Sequence, residues 1–162
     1  MANVKFDSNS RVSLSNADSG ANNTVFGKLA GNLLASGDTQ NVFIGENVAD
    51  ADMTNAVENT AVGYSALSSL TEGDENTMIG RLAGRDVTTG SGNTMIGSAA
   101  GYQVDGGVAQ CVVIGRGAFN GQATTGANGT VAIGYGAAAA IYTGPQNTII
   151  GHSAGDAMTT GG

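Results

Sequence analysis

The stretch Asn93-Thr94-Met95-Ile96-Gly97 decides the fold of this 162-residue chain, because related five-residue units recur along its length. The shared pattern is Asn-Thr-x-(Ile/Val)-Gly, with substitutions at most positions. Its eight copies end on Gly27, Gly45, Gly63, Gly80, Gly97, Gly115, Gly134 and Gly151. Successive copies are 17 to 19 residues apart. A period this short is smaller than that of helical repeats and propeller blades, so it predicts one coil of a β-solenoid or β-roll per copy.

Two columns of the aligned copies alternate as the side chains of a β-strand do. The residue before the glycine is always apolar: Phe26, Ile44, Val62, Ile79, Ile96, Ile114, Ile133 and Ile150. The residue two positions earlier is Thr or Val: Thr24, Val42, Thr60, Thr77, Thr94, Val112, Val131 and Thr148. Side chains two apart on a strand share one face, and we expect this face to be the interior of each coil.

The residue between these columns is then expected to point outward. It is never polar: Val25, Phe43, Ala61, Met78, Met95, Val113, Ala132 and Ile149. A strand that is apolar on both faces is buried on both faces, and a narrow coil cannot cover its own outside. We therefore predict that this middle column lines the axis of a homo-oligomer, and specifically of a homotrimer.

Further columns predict a bend, a second strand and a turn in each repeat. A small residue at the bend lies three positions after the glycine: Ala30, Val48, Ala66, Ala83, Ala100, Ala118, Ala137 and Ala154. The inward column of the second strand is expected seven positions after it: Leu34, Leu70, Val87, Val104, Ile141 and Met158, with Asp52 and Gln122 as exceptions. A backbone position with positive φ is expected ten positions after it: Gly37, Asn55, Gly73, Gly90, Gly107, Gly144 and Gly161, with Gly126 one place late.

Composition restricts the partners of the chain. The net charge is −7 and the isoelectric point is near 4.3, which argues against nucleic acid or an anionic membrane surface. No apolar run approaches the length of a membrane span, so no membrane insertion is expected. The first residues lack the apolar segment of a signal peptide, which predicts synthesis in a cytoplasm without export by the usual route.

Few residues could perform chemistry, and we expect neither catalysis nor a cofactor. His152 is the only histidine, and it occupies a variable column that we interpret as solvated surface. Cys111 is the only cysteine, which excludes an internal disulfide. It stands in a column otherwise held by Asn, and we interpret it as a small residue tolerated in a strand. A zinc-type site needs clustered ligands, so no metal site is predicted from one His and one Cys.

Two short acidic pairs are candidates for calcium, Asp50 with Asp52 and Asp74 with Glu75. The Gly-Gly-x-Gly-x-Asp unit of calcium-binding β-rolls does not occur in the chain. Solvated loop charge is therefore the favoured interpretation.

Two sets of residues have both a binding interpretation and a structural one. Exposed loop residues could contact a glycan or a capsid partner, or could be loop anchors and trimer contacts: Tyr102, Phe119, Asn120 and Tyr142. Stacked threonines could bind ice: Thr60, Thr77 and Thr94. Ice binding is set aside, because these threonines are expected to share the buried face with the Ile column.

Residues 1–22 precede the repeats, and residues 23–162 form the repeat domain. Alternating apolar residues in the first segment suggest two short strands. They would cap the first coil, attach the chain to a larger assembly, or do both, since an uncapped solenoid edge pairs with other chains.

The units beginning Asn59-Thr60-Ala61-Val62-Gly63 and Val131-Ala132-Ile133-Gly134-Tyr135 resemble a known repeat. It is the NTxIG repeat of phage tail fibres and virion surface proteins, and it is similar to the head domain of trimeric autotransporter adhesins. The resemblance spans about residues 23–162. It implies an all-β fold, a left-handed parallel β-roll of about eight 17–19-residue coils, with three chains around a hydrophobic axis.

The resemblance leads us to expect a structural virion surface protein of a bacteriophage, made in the host cytoplasm. Capsid decoration, a head spike or a short fibre fits the short chain, which shows none of the signal peptide, coiled-coil stalk and membrane barrel of the adhesins. The alternatives are a receptor-binding tail-fibre tip and the head fragment of a bacterial adhesin. Expected partners are sister subunits, capsid or tail proteins bound through residues 1–22, and a glycan or protein of the host surface.

Overall fold

The structure is a computed structural model, and it describes residues 11–13, 22–104, 106–123, 125–140 and 143–158. In these residues nine short strands form one sheet whose order follows the sequence. The strands are β1 (Arg11–Ser13), β2 (Thr24–Gly27), β3 (Val42–Ile44), β4 (Thr60–Val62), β5 (Thr77–Ile79), β6 (Thr94–Ile96), β7 (Val112–Ile114), β8 (Val131–Ile133) and β9 (Thr148–Ile150). One 3₁₀ turn, Thr125–Ala127, lies between β7 and β8.

Strands β2 to β9 run parallel, and each one pairs with the next copy of the pentapeptide in the same register. Met78, for example, lies opposite Met95, and Met95 lies opposite Val113. Eight such strands make a β-solenoid of about seven turns, roughly 34 Å long at about 4.8 Å per turn. The prediction of an all-β parallel solenoid is confirmed. Strand β1 pairs antiparallel with β2 and so covers the edge of the first coil.

The strands turn the opposite face to the core from the one that the sequence predicts. All eight residues of the middle column are buried inside the coils, with relative exposures between 0 and 8%. The columns on either side face outward; Phe26 is 55% exposed and Ile79 is 40% exposed. Most strands are only three residues long, so a middle residue that points inward forces both of its neighbours outward.

In six of the eight coils the interior is filled by a pair of side chains of complementary size, six residues apart. Met78 lies on its strand opposite a bend glycine, and a Cβ on Gly84 would lie 2.5 Å from the Met78 sulfur. In the previous coil the sizes are exchanged, because Ala61 is followed six residues later by the buried Leu67. Two coils depart from this rule, since both members are large in one and both are small in the other: Val113 with Phe119, and Ala132 with Ala138.

Buried asparagines form a hydrogen-bonded ladder along one edge of the interior. In each step the backbone N–H of one asparagine donates to the side-chain oxygen of the asparagine one coil earlier, as from Asn76 to Asn59 (3.0 Å) and from Asn93 to Asn76 (3.0 Å). The side-chain amide of Asn76 also donates to the Gly90 carbonyl (2.8 Å). Cys111 ends this series, since its backbone N–H donates to Asn93 while its own thiol offers only weak hydrogen bonding.

The other side of each coil is built from turns. Within the described residues it holds no strand, only isolated bridge residues: Thr39 pairs in parallel with Val57, and Thr143 is a bridge residue as well. The predicted second strand is therefore wrong. Its inward column is confirmed at four of its five described members, which are buried: Leu34, Leu70, Val87 and Val104.

The two exceptions in that column and its last members behave differently. After Asp52 and Gln122, the following residues Met53 and Ala123 are buried in their place. Met158 is 40% exposed, and Ile141 lies outside the described residues.

Glycines are required for two different reasons. The repeat glycine has φ between 131° and 138° in every coil, and a Cβ on Gly63 would lie 2.5 Å from the carbonyl oxygen of Gly80 in the next coil. The predicted positive φ ten residues later occurs at Asn55 (58°) and Gly144 (106°). It is wrong at Gly37, Gly73 and Gly90. At Gly90 a side chain would instead collide with the backbone carbonyl of Val108.

The paired packing predicts a compensating double substitution. Met78→Ala should lower the free energy of unfolding by about 2–5 kcal/mol, because it leaves a cavity. Gly84→Leu alone should also destabilise the fold, because its side chain meets the Met78 sulfur. Together they recreate the Ala61–Leu67 pair and should recover at least half of the summed loss. Urea unfolding of the four proteins measures this coupling, and purely additive losses would contradict the packing.

The asparagine ladder predicts a second stability effect. Asn76→Ala should lower the free energy of unfolding by about 2–4 kcal/mol. It leaves the buried carbonyl of Gly90 and the buried N–H groups of Asn93 without the hydrogen-bond partners that Asn76 provides. The control is Asn32→Ala on the exposed surface, which should change it by less than about 0.5 kcal/mol. Equal losses in the two variants, measured by urea unfolding, would argue against the ladder.

Candidate functional site: an apolar outer face and its rim

The outward residues of strands β2–β9 form one continuous surface, which we call the outer face. It consists of two columns, Thr24 to Thr148 and Phe26 to Ile150, each with one member per coil. No member is charged, and 11 of the 16 are Phe, Ile or Val. Exposure is highest at the two ends, at Phe26 (55%) and Ile150 (65%).

The outer face is apolar over the whole length of the solenoid. Between its ends, Ile44, Ile79 and Ile114 remain 36 to 40% exposed, and their neighbours are partly exposed. Eight strands about 4.8 Å apart give a ribbon on the order of several hundred Å². Contiguous apolar patches of this size on soluble proteins mark interaction surfaces. The outer face is therefore the first candidate binding surface.

The predicted interface residues lie elsewhere. The middle column fills the core of a single chain and cannot line an oligomer axis: Val25, Phe43, Ala61, Met78, Met95, Val113, Ala132 and Ile149. This corrects the sequence-based expectation. The apolar columns that were expected inside are the ones available to a partner.

The threonines also lie on the outer face. Thr60, Thr77 and Thr94 are partly exposed, so the reason for setting ice binding aside is wrong. Valine nevertheless replaces threonine in this column at Val42 and elsewhere, so the hydroxyl array is three residues long at most without interruption.

A row of polar and aromatic side chains borders the outer face. This rim row is the residue directly after each repeat glycine: Lys28, Glu46, Tyr64, Arg81, Ser98, Arg116, Tyr135 and His152. At its start Lys28 and Glu46 form an ion pair (3.3 Å). In the next two coils the guanidinium of Arg81 lies 6.0 Å from the centre of the Tyr64 ring.

The last three coils bring Arg116, Tyr135 and His152 into one stack. The Arg116 guanidinium lies 5.5 Å from the centre of the Tyr135 ring, and its Nη1 donates to the Tyr135 hydroxyl (3.2 Å). On the other side, the Tyr135 and His152 rings stack with centres 5.0 Å apart and planes at 16°. Each side chain thus holds the next in place, a cation–π contact followed by a ring stack.

A shallow depression of about 230 Å³ lies beside this stack. Its lining residues are Ala99, Arg116, Gly117, Asn120, Tyr135, Gly136 and Ala139. It owes its existence to small residues two positions after the repeat glycine. That position has φ between 49° and 63° in every coil, and it carries Leu29 and Leu82 elsewhere.

The four loop residues that the sequence offers as partner contacts lie in different surroundings. Asn120 lines the depression. Tyr102 packs its ring under the Arg85 guanidinium (4.0 Å to the ring centre), and Arg85 also binds Asp86 (2.6 Å), whose hydrogen bond raises the pKa of Arg85. Phe119 is fully buried, so its predicted exposure is wrong. Tyr142 lies outside the described residues.

The acidic candidates are parts of turns. Within the described residues no three His, Cys, Asp or Glu side chains come together in a way that could hold a metal ion. Asp74 accepts a hydrogen bond from the Val57 backbone (2.9 Å). Partial burial raises the pKa of Asp50. Sequence reasoning missed Asp38, which is fully buried and accepts from the Ala56 backbone (2.8 Å).

Comparisons of the chain with protein-family models, with curated proteins and with solved structures found no match. In the part of the chain that the structure describes, no helix has the length and apolar character needed to cross a membrane.

Cys111 should be chemically inert in the folded protein. It is free and fully buried, and burial raises the pKa of its thiol, which lowers the thiolate fraction at neutral pH. Ellman's reagent should therefore react slowly with the native protein and rapidly after unfolding in urea. Rapid reaction of the native protein would show that the last coils open readily.

Proposed function

We propose that this chain is the structural subunit of a homotrimeric rod, a left-handed β-roll that presents its surface on a bacteriophage virion. The observation that carries the proposal is the uncharged, apolar outer face. A lone chain would leave this face in water along the whole solenoid, and burying it against other subunits removes that cost.

A second copy of the same chain suits the outer face better than an unrelated partner. Every copy repeats its columns in the same register, so two chains laid side by side match coil for coil. The face is only two residues wide, about 7 Å. Three such ribbons turned toward a common axis can bury one another and close without an open edge, as symmetric oligomers do.

The virion role is supported by the resemblance of the NTxIG units to phage fibre and surface proteins. A rigid rod without a proposed catalytic site fits capsid decoration, a head spike or a short fibre. Residues 1–22 would dock on other virion proteins, while the rim row remains available to a host glycan or protein. A receptor-binding tip or an adhesin head is the alternative role for the same rod.

The trimer is tested by charge placed on the outer face. Ile79→Glu with Ile114→Glu should convert a particle of three times 15.9 kDa into monomers, because carboxylates would be buried together near the axis. Light scattering coupled to size exclusion measures the mass. The β-rich circular dichroism should persist, since both side chains point away from the core.

Two controls separate assembly from folding. Gln103→Glu with Gln110→Glu adds the same charge at exposed positions away from the face and should leave the trimer intact. Met78→Asp, in the core, should instead abolish folding. A wild-type protein that stays monomeric at micromolar concentration would overturn the proposal. If that monomer also inhibits ice growth, ice binding would replace assembly as the role of the outer face.

The virion assignment is tested by imaging phage particles with an antibody against the chain. Label on the capsid lattice supports decoration, and label on the tail supports a fibre. Particles without label would contradict the virion role while leaving the trimer unaffected.

A further inference from the structure

We propose that the depression beside Arg116 and Tyr135 binds an acidic sugar, with the sugar carboxylate held by the Arg116 guanidinium. The site lies on the rim row at coils six and seven, outside the core and beside the outer face. It combines a cation, an aromatic side chain and a recess, none of which is used by the fold itself.

No carboxylate of the described residues neutralises the charge of Arg116. Among the residues that the structure describes, Lys28 pairs with Glu46 and Arg85 pairs with Asp86. Within the ranges that the structure describes, no carboxylate oxygen lies within 4.0 Å of the Arg81 or Arg116 guanidinium. On a chain with a net charge of −7, a free guanidinium beside a recess favours a single small anion over a broad anionic surface.

Arg116 is also held in position before any ligand arrives. Its hydrogen bond to the Tyr135 hydroxyl uses one of the five guanidinium N–H groups. The stack on His152 in turn fixes the Tyr135 ring. The remaining N–H groups can form the paired hydrogen bonds that a planar carboxylate accepts, at little cost in side-chain entropy.

The recess suits one sugar ring attached to that carboxylate. Its volume, about 230 Å³, is below the range of drug-sized pockets, which limits the occupant to a single residue. Gly117, Gly136 and Ala139 line the recess with little or no side chain. The Asn120 amide and the Tyr135 hydroxyl provide polar groups for sugar hydroxyls. Such an open site binds weakly, and several copies on one particle would raise the avidity.

The chain contains its own negative control at Arg81. Arg81 also lies against a tyrosine, Tyr64, and it too has no carboxylate partner in the described part of the chain. The following residue is Leu82, however, where the depression has Gly117. The two sites therefore share their charge and aromatic ring and differ in the space beside them.

The test is a titration of the full-length protein with methyl glucuronide and with methyl glucoside, followed by NMR of the protein. These sugars differ only by the carboxylate. We expect saturable shifts with the glucuronide, weakened by salt, and at least about tenfold weaker binding of the glucoside. Arg116→Gln should weaken glucuronide binding by at least about tenfold, because it removes the charge.

Gly117→Leu should abolish binding by filling the recess, as Leu82 does at the equivalent position with nearly the same φ. The Arg81→Gln variant should bind methyl glucuronide with an affinity within about twofold of that of the wild type. Equal binding of both sugars, no binding of the glucuronide at about 10 mM, or an equal loss in Arg81→Gln and Arg116→Gln would overturn the inference. The particle mass is measured on the same samples, so a monomer that binds glucuronide refutes the trimer alone, and a trimer that does not bind it refutes the site alone.

Discussion

The interior of each coil is so narrow that a strand can place one side chain in it, and the rest of the structure depends on this constraint. The residue that enters is the middle of the pentapeptide, such as Met78, and it packs against a bend residue six positions later. Register follows from the same contact, because equivalent residues must stack to keep the core continuous. The asparagine ladder then links one coil to the next by buried hydrogen bonds.

Inward placement of one column has a consequence on the outside. The two neighbouring residues must face away, so Ile79 and Thr77 belong to a surface even though their types suit a core. Stacking turns this local geometry into a long apolar ribbon. The symmetric assembly that we propose would bury it, because each copy would offer the same spacing to the others.

The same repetition makes departures from it informative. Gly117 and Gly136 are the smallest residues in a column that carries Leu29 and Leu82 in two other coils, and they leave space next to Arg116. Cys111, which replaces an asparagine of the buried ladder, changes the hydrogen bonds of the interior and is itself buried. A functional site on a solenoid is therefore expected where an outward column loses its bulk, as it does beside Tyr135.

The sequence by itself determined the solenoid, its parallel strands, the buried small column and the turns, because each of these repeats at a fixed offset from the glycine. It did not assign the faces, since both sides of the strand are apolar and alternation alone cannot tell inside from outside. The sizes of residues six apart do identify the inward face, since a small residue followed by a large one, Ala61 and Leu67, becomes a large one followed by a small one, Met78 and Gly84. This pattern can be recognised only when it is known that residues six apart pack against each other. The recess at Arg116 also needed the tertiary structure, because it is formed by residues from three successive coils that the chain places far apart in sequence.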